Sequence, residues 1–309
     1  MNDILKEIKF DELMTILNTR DVRDYYERTS KKPDSGDLLN ALKRYIDEDN
    51  LSQKTVLGID IYKYSGYPTL QQALVPLIFK MLYNETIGFC IEGNPFLFQK
   101  YTHKTFESHF ISTGDGGFQI FDTPLHAIVF TLNFAVALRA YNSFHFYPKL
   151  RDIIGEINLR YSFTIDDVYR FDHNYYGASI INNARVLSKD SLDRVLMDGN
   201  TYNWFMLNIN GIENLQTLRL IDIAELYDFQ GYDKKFIAQP NILFAKEQAN
   251  ESGITAVDVL KIGTITAKET KISIYNLHLQ VQMVVTDDRD PEKSKFLTVS
   301  LGNLNTAGI

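Results

Sequence analysis

Apolar and polar positions alternate along this chain with two periods, and the change of period marks its elements. Residues 1 to 50 are mostly polar, with Ile4, Ile8, Leu13 and Leu17 forming one modest helical stripe. After Lys31 to Gly36, Leu38, Leu39, Leu42, Tyr45 and Ile46 form a second. From Thr55 the period is lost. Val56-Leu57-Gly58-Ile59-Asp60-Ile61 is a nearly unbroken apolar run, the pattern of a central strand covered on both faces. A loop, Tyr62 to Pro68, opens a helix with Leu70, Leu74, Leu77, Ile78 and Met81 on one face. Pro76 predicts a kink or an early end to it. Residues 84 to 106 read as irregular. Ser112 to Phe118 follows as a glycine-rich hairpin tip carrying Asp115, and Thr123-Pro124 reads as an N-cap and first turn. Ile157, Leu159, Tyr161, Phe163 and Ile165 then alternate strictly with polar residues, the clearest strand in the chain, with Asp166-Asp167 predicted to turn it back into Val168 to Phe171. Gly177 to Leu187 reads as a short helix, 188 to 258 as an unordered mixture, and 261–266 with 272–285 as a pair of strands.

This order predicts an α+β sandwich, with helices covering a mostly antiparallel sheet and extra helices at the N-terminus. The expected division is a helical segment over 1–50, a main domain over 54–285 with an insertion at about 205–258, and a strand and tail over 286–309.

Composition narrows the function. The chain has 309 residues, 45% of them hydrophobic and 23% charged, which is ordinary for a globular protein. A formal net charge of -7 argues against a general affinity for nucleic acid or for anionic membrane. One cysteine, Cys90, excludes a disulfide framework and fits a reducing, cytoplasmic setting. No apolar run of bilayer length stands out, so no membrane partner is expected. The histidines, His109, His126 and His173 among them, show no metal-ligand spacing.

Candidate chemistry begins with Asp60. A carboxylate in an apolar strand requires a cation, a metal or a strand end open to solvent. Asp115 stands at the hairpin tip, one crossover helix later. In a split strand-helix-strand-strand fold the first strand lies beside that hairpin, so the two acids either meet or are unrelated surface groups. Meeting carboxylates repel, and divalent cations commonly resolve the repulsion; a pair of such ions about 4 Å apart suits attack at phosphorus.

Three motifs extend this. Leu57-Gly58-Ile59-Asp60-Ile61-Tyr62-Lys63-Tyr64-Ser65, Gly114-Asp115-Gly116, and Gly177-Ala178-Ser179-Ile180 leading into Asn182-Asn183-Ala184-Arg185 together resemble the class III nucleotidyl cyclases, over roughly residues 54 to 285. The resemblance implies a ferredoxin-like cyclase sandwich. Asp60, Asp115 and the Ile61 carbonyl would bind two Mg²⁺ or Mn²⁺ ions, and backbone amides of Tyr62, Lys63, Tyr64 and Ser65 would hold phosphates. Arg185 would stabilise charge at the α-phosphoryl group. Lys268 resembles the family's phosphate-binding lysine. A homodimer with shared active sites is implied, the acids from one subunit and the arginine helix from the other.

The departures carry information. The family's ribose-orienting asparagine falls on Ile181 here, with Asn182 one residue later and on the face of Arg185. Its purine-reading positions fall on Ile111, which has no hydrogen bond to give, and on Asn174. A pocket lacking its polar base contact rejects that base strongly. These features look like the pyrimidine cyclases of bacterial Pycsar anti-phage systems, which make cyclic UMP or cyclic CMP for a separate, product-gated effector protein. Tyr62, Tyr64, Tyr175 and Tyr176 are candidates to fill the vacated purine space. An adenylate cyclase with unusual base contacts and a catalytically silent nucleotide-binding domain are the alternatives.

Overall fold

The computed structural model describes residues 7–17, 36–45, 52–191, 194–208, 217–237, 242–245, 253–267, 270–287 and 290–309. In chain order they form β1 (Glu7–Ile8), α1 (Phe10–Leu17), α2 (Gly36–Tyr45), β2 (Ser52–Ile61), α3 (Thr69–Gly93), α4 (His103–Ser108), β3 (Phe110–Ser112), β4 (Gly116–Phe121), α5 (Pro124–Asn142), α6 (Pro148–Ile154), β5 (Leu159–Phe171) and β6 (Asn174–Gly177). There follow α7 (Ala178–Leu187), β7 (Val195–Asp198), α8 (Gly199–Asn208), β8 (Thr217–Arg219), α9 (Leu220–Ile223), β9 (Ile242–Ala245), β10 (Gly253–Ala267), β11 (Thr270–Asp287) and β12 (Asp290–Leu301).

The strands join one mixed, mostly antiparallel sheet in the order β3-β4-β2-β5-β7-β11-β10-β9-β8. β12 pairs with β11, and β1 and β6 pair with β5. The α+β class expected from the sequence is the observed one. β2 lies between β4 and β5, antiparallel to both, and β5 runs parallel to β7.

Strand alternation sorts the two faces of β2. Leu57, Ile59 and Ile61 enter the main core with Val75, Ile78 and Leu82 of α3 and Ile128, Phe130 and Phe134 of α5. Val56 faces the other way, into a smaller cluster with Ile120, Val168, Tyr175 and Ile180 of α7. Gly58 and Asp60 share that second face. The buried amide of Asn183 on α7 meets it there, donating to the Val56 carbonyl at 2.7 Å and the Ser162 carbonyl at 3.0 Å. A Cβ at Gly58 would collide with Asn183 Oδ1 and lie 2.6 Å from Ser162 Oγ, so glycine here is what lets α7 seat on the sheet.

Several local expectations are corrected. α3 continues through Pro76 for 25 residues, and its last turns with α4 order much of 84–106. α3 and α5 are each long and apolar enough to cross a membrane, with mean hydropathies of 1.3 and 1.2, although no such run was expected. Here both contribute to the main core. β5 passes straight through Asp166-Asp167, because Lys54 and Gln53 of β2 pair with those residues. The chain reverses instead at Asp172-His173, where φ values of 47° and 66° match the two left-handed positions of a type I′ hairpin. Thr123 caps α5 as expected, accepting from the His126 amide. His126 is a satisfied core residue: Thr123 Oγ1 lies 2.8 Å from Nδ1 and the Leu97 carbonyl 2.8 Å from Nε2. Cys90 is buried as well.

Candidate active site

Asp60 is the next-to-last residue of β2, and the register sets it opposite Gly116 on one side and Arg160 on the other. Gly116 has no room for a side chain, since a Cβ would strike the Ile59 carbonyl. That close approach draws the hairpin tip onto the end of β2. Gly114 turns the tip at φ 101°, Thr113 N–H donates to the Gly116 carbonyl at 3.1 Å, and Ile61 N–H donates to the Asp115 carbonyl at 3.1 Å. The two acids are therefore neighbours at the end of β2. The Asp115 charge acts on Asp60 accordingly. Burial pushes the Asp60 carboxyl above the usual range, Arg160 pulls it partly back, and Asp115 pushes it up again.

Arg160 is the residue that sequence reasoning missed. Its Nε donates to Asp60 Oδ2 at 2.9 Å and its Nη2 reaches the same oxygen, while Nη1 donates to the Asp190 carbonyl. The guanidinium carbon also lies 5.6 Å from the centre of the Tyr62 ring. The cation that Asp60 requires is thus supplied from the neighbouring strand. The signal was present in the alternation of β5, which places Arg160 on the face opposite Leu159 and Tyr161. Its partner depended on the register.

The loop after Asp60 leaves some of its amides without partners among the described residues. Tyr62 N–H is spent on the Asn158 carbonyl at 2.8 Å, so it is not free for phosphate. Lys63 adopts φ 58° and starts a 3-10 turn over Tyr64–Gly66. Among the described residues the N–H groups of Lys63, Tyr64 and Ser65 have no protein acceptor. Consecutive N–H groups around a left-handed residue form an anion-binding concavity. The tyrosine side chains do other work. Tyr62 hydroxyl donates to the Ser191 carbonyl and Tyr64 hydroxyl to the Gln72 carbonyl, each at 2.8 Å.

The remaining candidates do not join these. Arg185 lies on the α7 turn nearer Asp190, and its Nη1 donates to Asn182 Oδ1 at 3.3 Å. Among the described residues no bond joins it to Asp60 or Asp115. Ile181 is 53% exposed on the same helix. Ile111 packs beside Val56, Ile120 and Tyr175, so it presents an apolar surface. Tyr175 is 4% exposed and serves the core. Asn174 pairs with Phe171, and its Oδ1 accepts from the Tyr175 amide at 2.8 Å. Phe171 lies eleven residue steps along β5 from Arg160, roughly 36 Å at the usual rise, so Asn174 stands at the far end of β5. Lys268 lies outside the described residues.

Two carboxylates and a nearby carbonyl are the hard oxygen ligands that Mg²⁺ and Mn²⁺ prefer. Both guanidinium bonds to Asp60 fall on Oδ2. A cation therefore fits by sharing Asp60 with Arg160 or displacing it. Among the described residues no cluster of three or more His, Cys, Asp or Glu side chains is gathered, so water and substrate oxygens would complete the coordination.

No protein-family model matches the chain, and no curated protein does. Solved structures do. An adenylate/guanylate cyclase/hydrolase from Silicibacter pomeroyi is 13% identical, with 74% of this chain and 96% of that one covered at a TM-score of 0.43. The adenylyl cyclase CyaB from P. aeruginosa is 12% identical, with coverages of 78% and 97% and a TM-score of 0.39. The guanylate cyclase domain of RhGC from Catenaria anguillulae, solved with GTP, is 12% identical, with coverages of 73% and 95% and a TM-score of 0.40. At these identities and scores the likeness carries nothing about the site.

Proposed function

We propose that this protein is a nucleotidyl cyclase that converts a pyrimidine nucleoside triphosphate, UTP or CTP, into the 3′,5′-cyclic monophosphate and pyrophosphate. The observation that carries the reading is the joining of Asp60 and Asp115 through the bond from Ile61 N–H to the Asp115 carbonyl, beside a loop with free N–H groups. Asp60, Asp115 and the Ile61 carbonyl would hold Mg²⁺ or Mn²⁺. When bound, the ions would lower the charge barrier to attack on the α-phosphorus and favour ionisation of the attacking hydroxyl. The chain's own groups do the positioning. Amides of Lys63, Tyr64 and Ser65 receive the terminal phosphates at the end of β2, and Gly114 and Gly116 keep the approach to Asp115 open. Arg160 orients Asp60 and limits its charge until a cation arrives.

Arg185 and Asn182 would complete the site from a second copy of the chain. Support comes from their placement: they pair with each other on the outer part of α7 and reach neither acid of their own chain. The distance of Asn174 from Asp60 along β5 supports the same division. Ile111 favours a pyrimidine, since its apolar surroundings leave a purine edge without a partner. The cyclic product would act as a second messenger for a separate effector in anti-phage defence.

A silent nucleotide-binding domain is the second reading, and the Arg160–Asp60 pair favours it. Incubation of the purified protein with each of the four nucleoside triphosphates and Mn²⁺ separates the readings. Cyclic UMP or cyclic CMP is the expected product. Cyclic AMP alone would replace the pyrimidine assignment, and bound nucleotide without any cyclic product would establish the silent domain.

A further inference from the structure

A cleft of about 380 Å³ lies on the face of the sheet away from Asp60. The C-terminal half of α5 forms one wall through Leu138 and Arg139. The starts of β5 and β7 form the floor through Leu159, Tyr161 and Arg194, and the end of β12 closes it through Leu301. Its volume is that of a small-molecule site.

Two arginines are among its lining residues. Arg139 is exposed and uses Nη1 on the Thr298 carbonyl at 2.7 Å. Arg194 is 1% exposed, with Nε on Asp190 Oδ1 at 3.1 Å and Nη1 on the Ala307 carbonyl at 2.6 Å. Its Nη2 makes no bond among the described residues. Two further charges bear on the cleft: Glu156 is an exposed carboxylate of the lining, and Asp190 lies behind Arg194. Forked N–H donors on two arginines suit the oxygens of a phosphoryl or carboxylate group.

The cleft is wired to the site already described. Arg194 N–H and Nε hold both oxygens of Asp190, at 2.8 and 3.1 Å. The Asp190 carbonyl accepts from Arg160 Nη1, and Arg160 Nε holds Asp60 at 2.9 Å. A second link runs through β5 itself. Leu159 and Tyr161 line the cleft, and Arg160 between them points to Asp60 on the opposite face.

We propose that the cleft is an activating site for a small oxyanion, a phosphomonoester or a carboxylate, and that its occupancy frees Asp60 to bind a divalent cation. An anion held by Arg139 and Arg194 competes with Asp190 for Arg194. Asp190 then relaxes, and Arg160 loses the carbonyl that holds it against Asp60. Coupling of this kind ranges from about fivefold to 150-fold in affinity and is reciprocal. The proposal rests on the reading of Asp60 and Asp115 as cation ligands.

The test titrates the whole protein with sulfate, and separately with acetate, by calorimetry at an ionic strength held constant with chloride. Mn²⁺ binding is then followed by the electron paramagnetic resonance of the free ion, with and without the anion. Expected is saturable binding of at least one anion, a gain in Mn²⁺ affinity on the order of tenfold, and loss of both in Arg139→Gln with its anion-free Mn²⁺ affinity unchanged. Sulfate reporting a phosphate, or acetate reporting a carboxylate, distinguishes the two ligand sources. The proposal is overturned if neither anion binds, if Arg139→Gln binds it as well as the wild type, or if bound anion leaves Mn²⁺ affinity where it was. Absence of Mn²⁺ binding under every condition overturns the cation reading and the coupling with it. The anion titration then still decides whether the cleft is a site.

Discussion

Replacing Gly58 by alanine adds a single methyl group at the point where α7 touches the sheet. That methyl would occupy the space of Asn183 Oδ1 and sit 2.6 Å from Ser162 Oγ, so Asn183 must withdraw. Withdrawal ends four bonds: Nδ2 to the Val56 carbonyl at 2.7 Å, the Ser162 carbonyl at 3.0 Å and Thr164 Oγ1 at 3.2 Å, and Ser162 Oγ to Oδ1 at 2.7 Å. At about 1 kcal/mol net for each bond, and more for groups left buried without partners, the cost is roughly 3–5 kcal/mol. The stiffening of the unfolded chain by alanine returns at most about 1 kcal/mol, so destabilisation wins. Urea denaturation of Gly58→Ala, Asn183→Ala and the double variant measures it as a cycle. In Asn183→Ala the bonds are already gone, so Gly58→Ala should then add little, giving a coupling on the order of 3 kcal/mol. Because α7 also carries Asn182 and Arg185, cyclic-nucleotide formation should fall in Gly58→Ala even at temperatures where it stays folded. A single-variant cost under about 1 kcal/mol, or costs that simply add, would refute the account of how α7 is seated.

Other consequences follow from the site and from one buried acid. Asp60→Ala and Asp115→Ala should each abolish cyclic-nucleotide production while circular dichroism stays native-like; turnover surviving in either removes the cation assignment. Arg160→Gln removes a positive charge from Asp60 and should raise Mn²⁺ affinity about tenfold by resonance titration, whereas weaker binding would show that Arg160 assists the ion. Asp198, the buried N-terminal cap of α8, has its carboxyl pushed up to about 6, chiefly by burial, from a usual value of 3.8. The folded state therefore binds the extra proton, and stability present below about pH 4 is lost as pH rises through 6. The loss at neutral pH is about 3 kcal/mol from a shift of about two units. Asp198→Asn keeps a capping oxygen, so its melting temperature should exceed the wild type's by more at pH 8 than at pH 5; an equal gap at both would refute the assignment.

Much of this protein was legible from local pattern. The apolar run of β2, the alternation opening β5, the glycines around Asp115 and the Thr123-Pro124 cap are short-range signals, because backbone sterics and side-chain period act over a few residues. They sufficed for the sheet-and-helix class and for the meeting of Asp60 with the Asp115 hairpin. The tertiary structure decided what depends on register between distant strands. It set Arg160 against Asp60, spent the Tyr62 amide on Asn158, carried β5 past Asp166-Asp167 and sent Asn174 to the far end. A shift of two residues would have kept Arg160 on the same face but set it against a partner other than Asp60, and nothing within β5 alone excludes that. Asn183 shows the same limit. In sequence it is one more polar residue in a helix, and only the packing of α7 on Gly58 makes it the bolt between them.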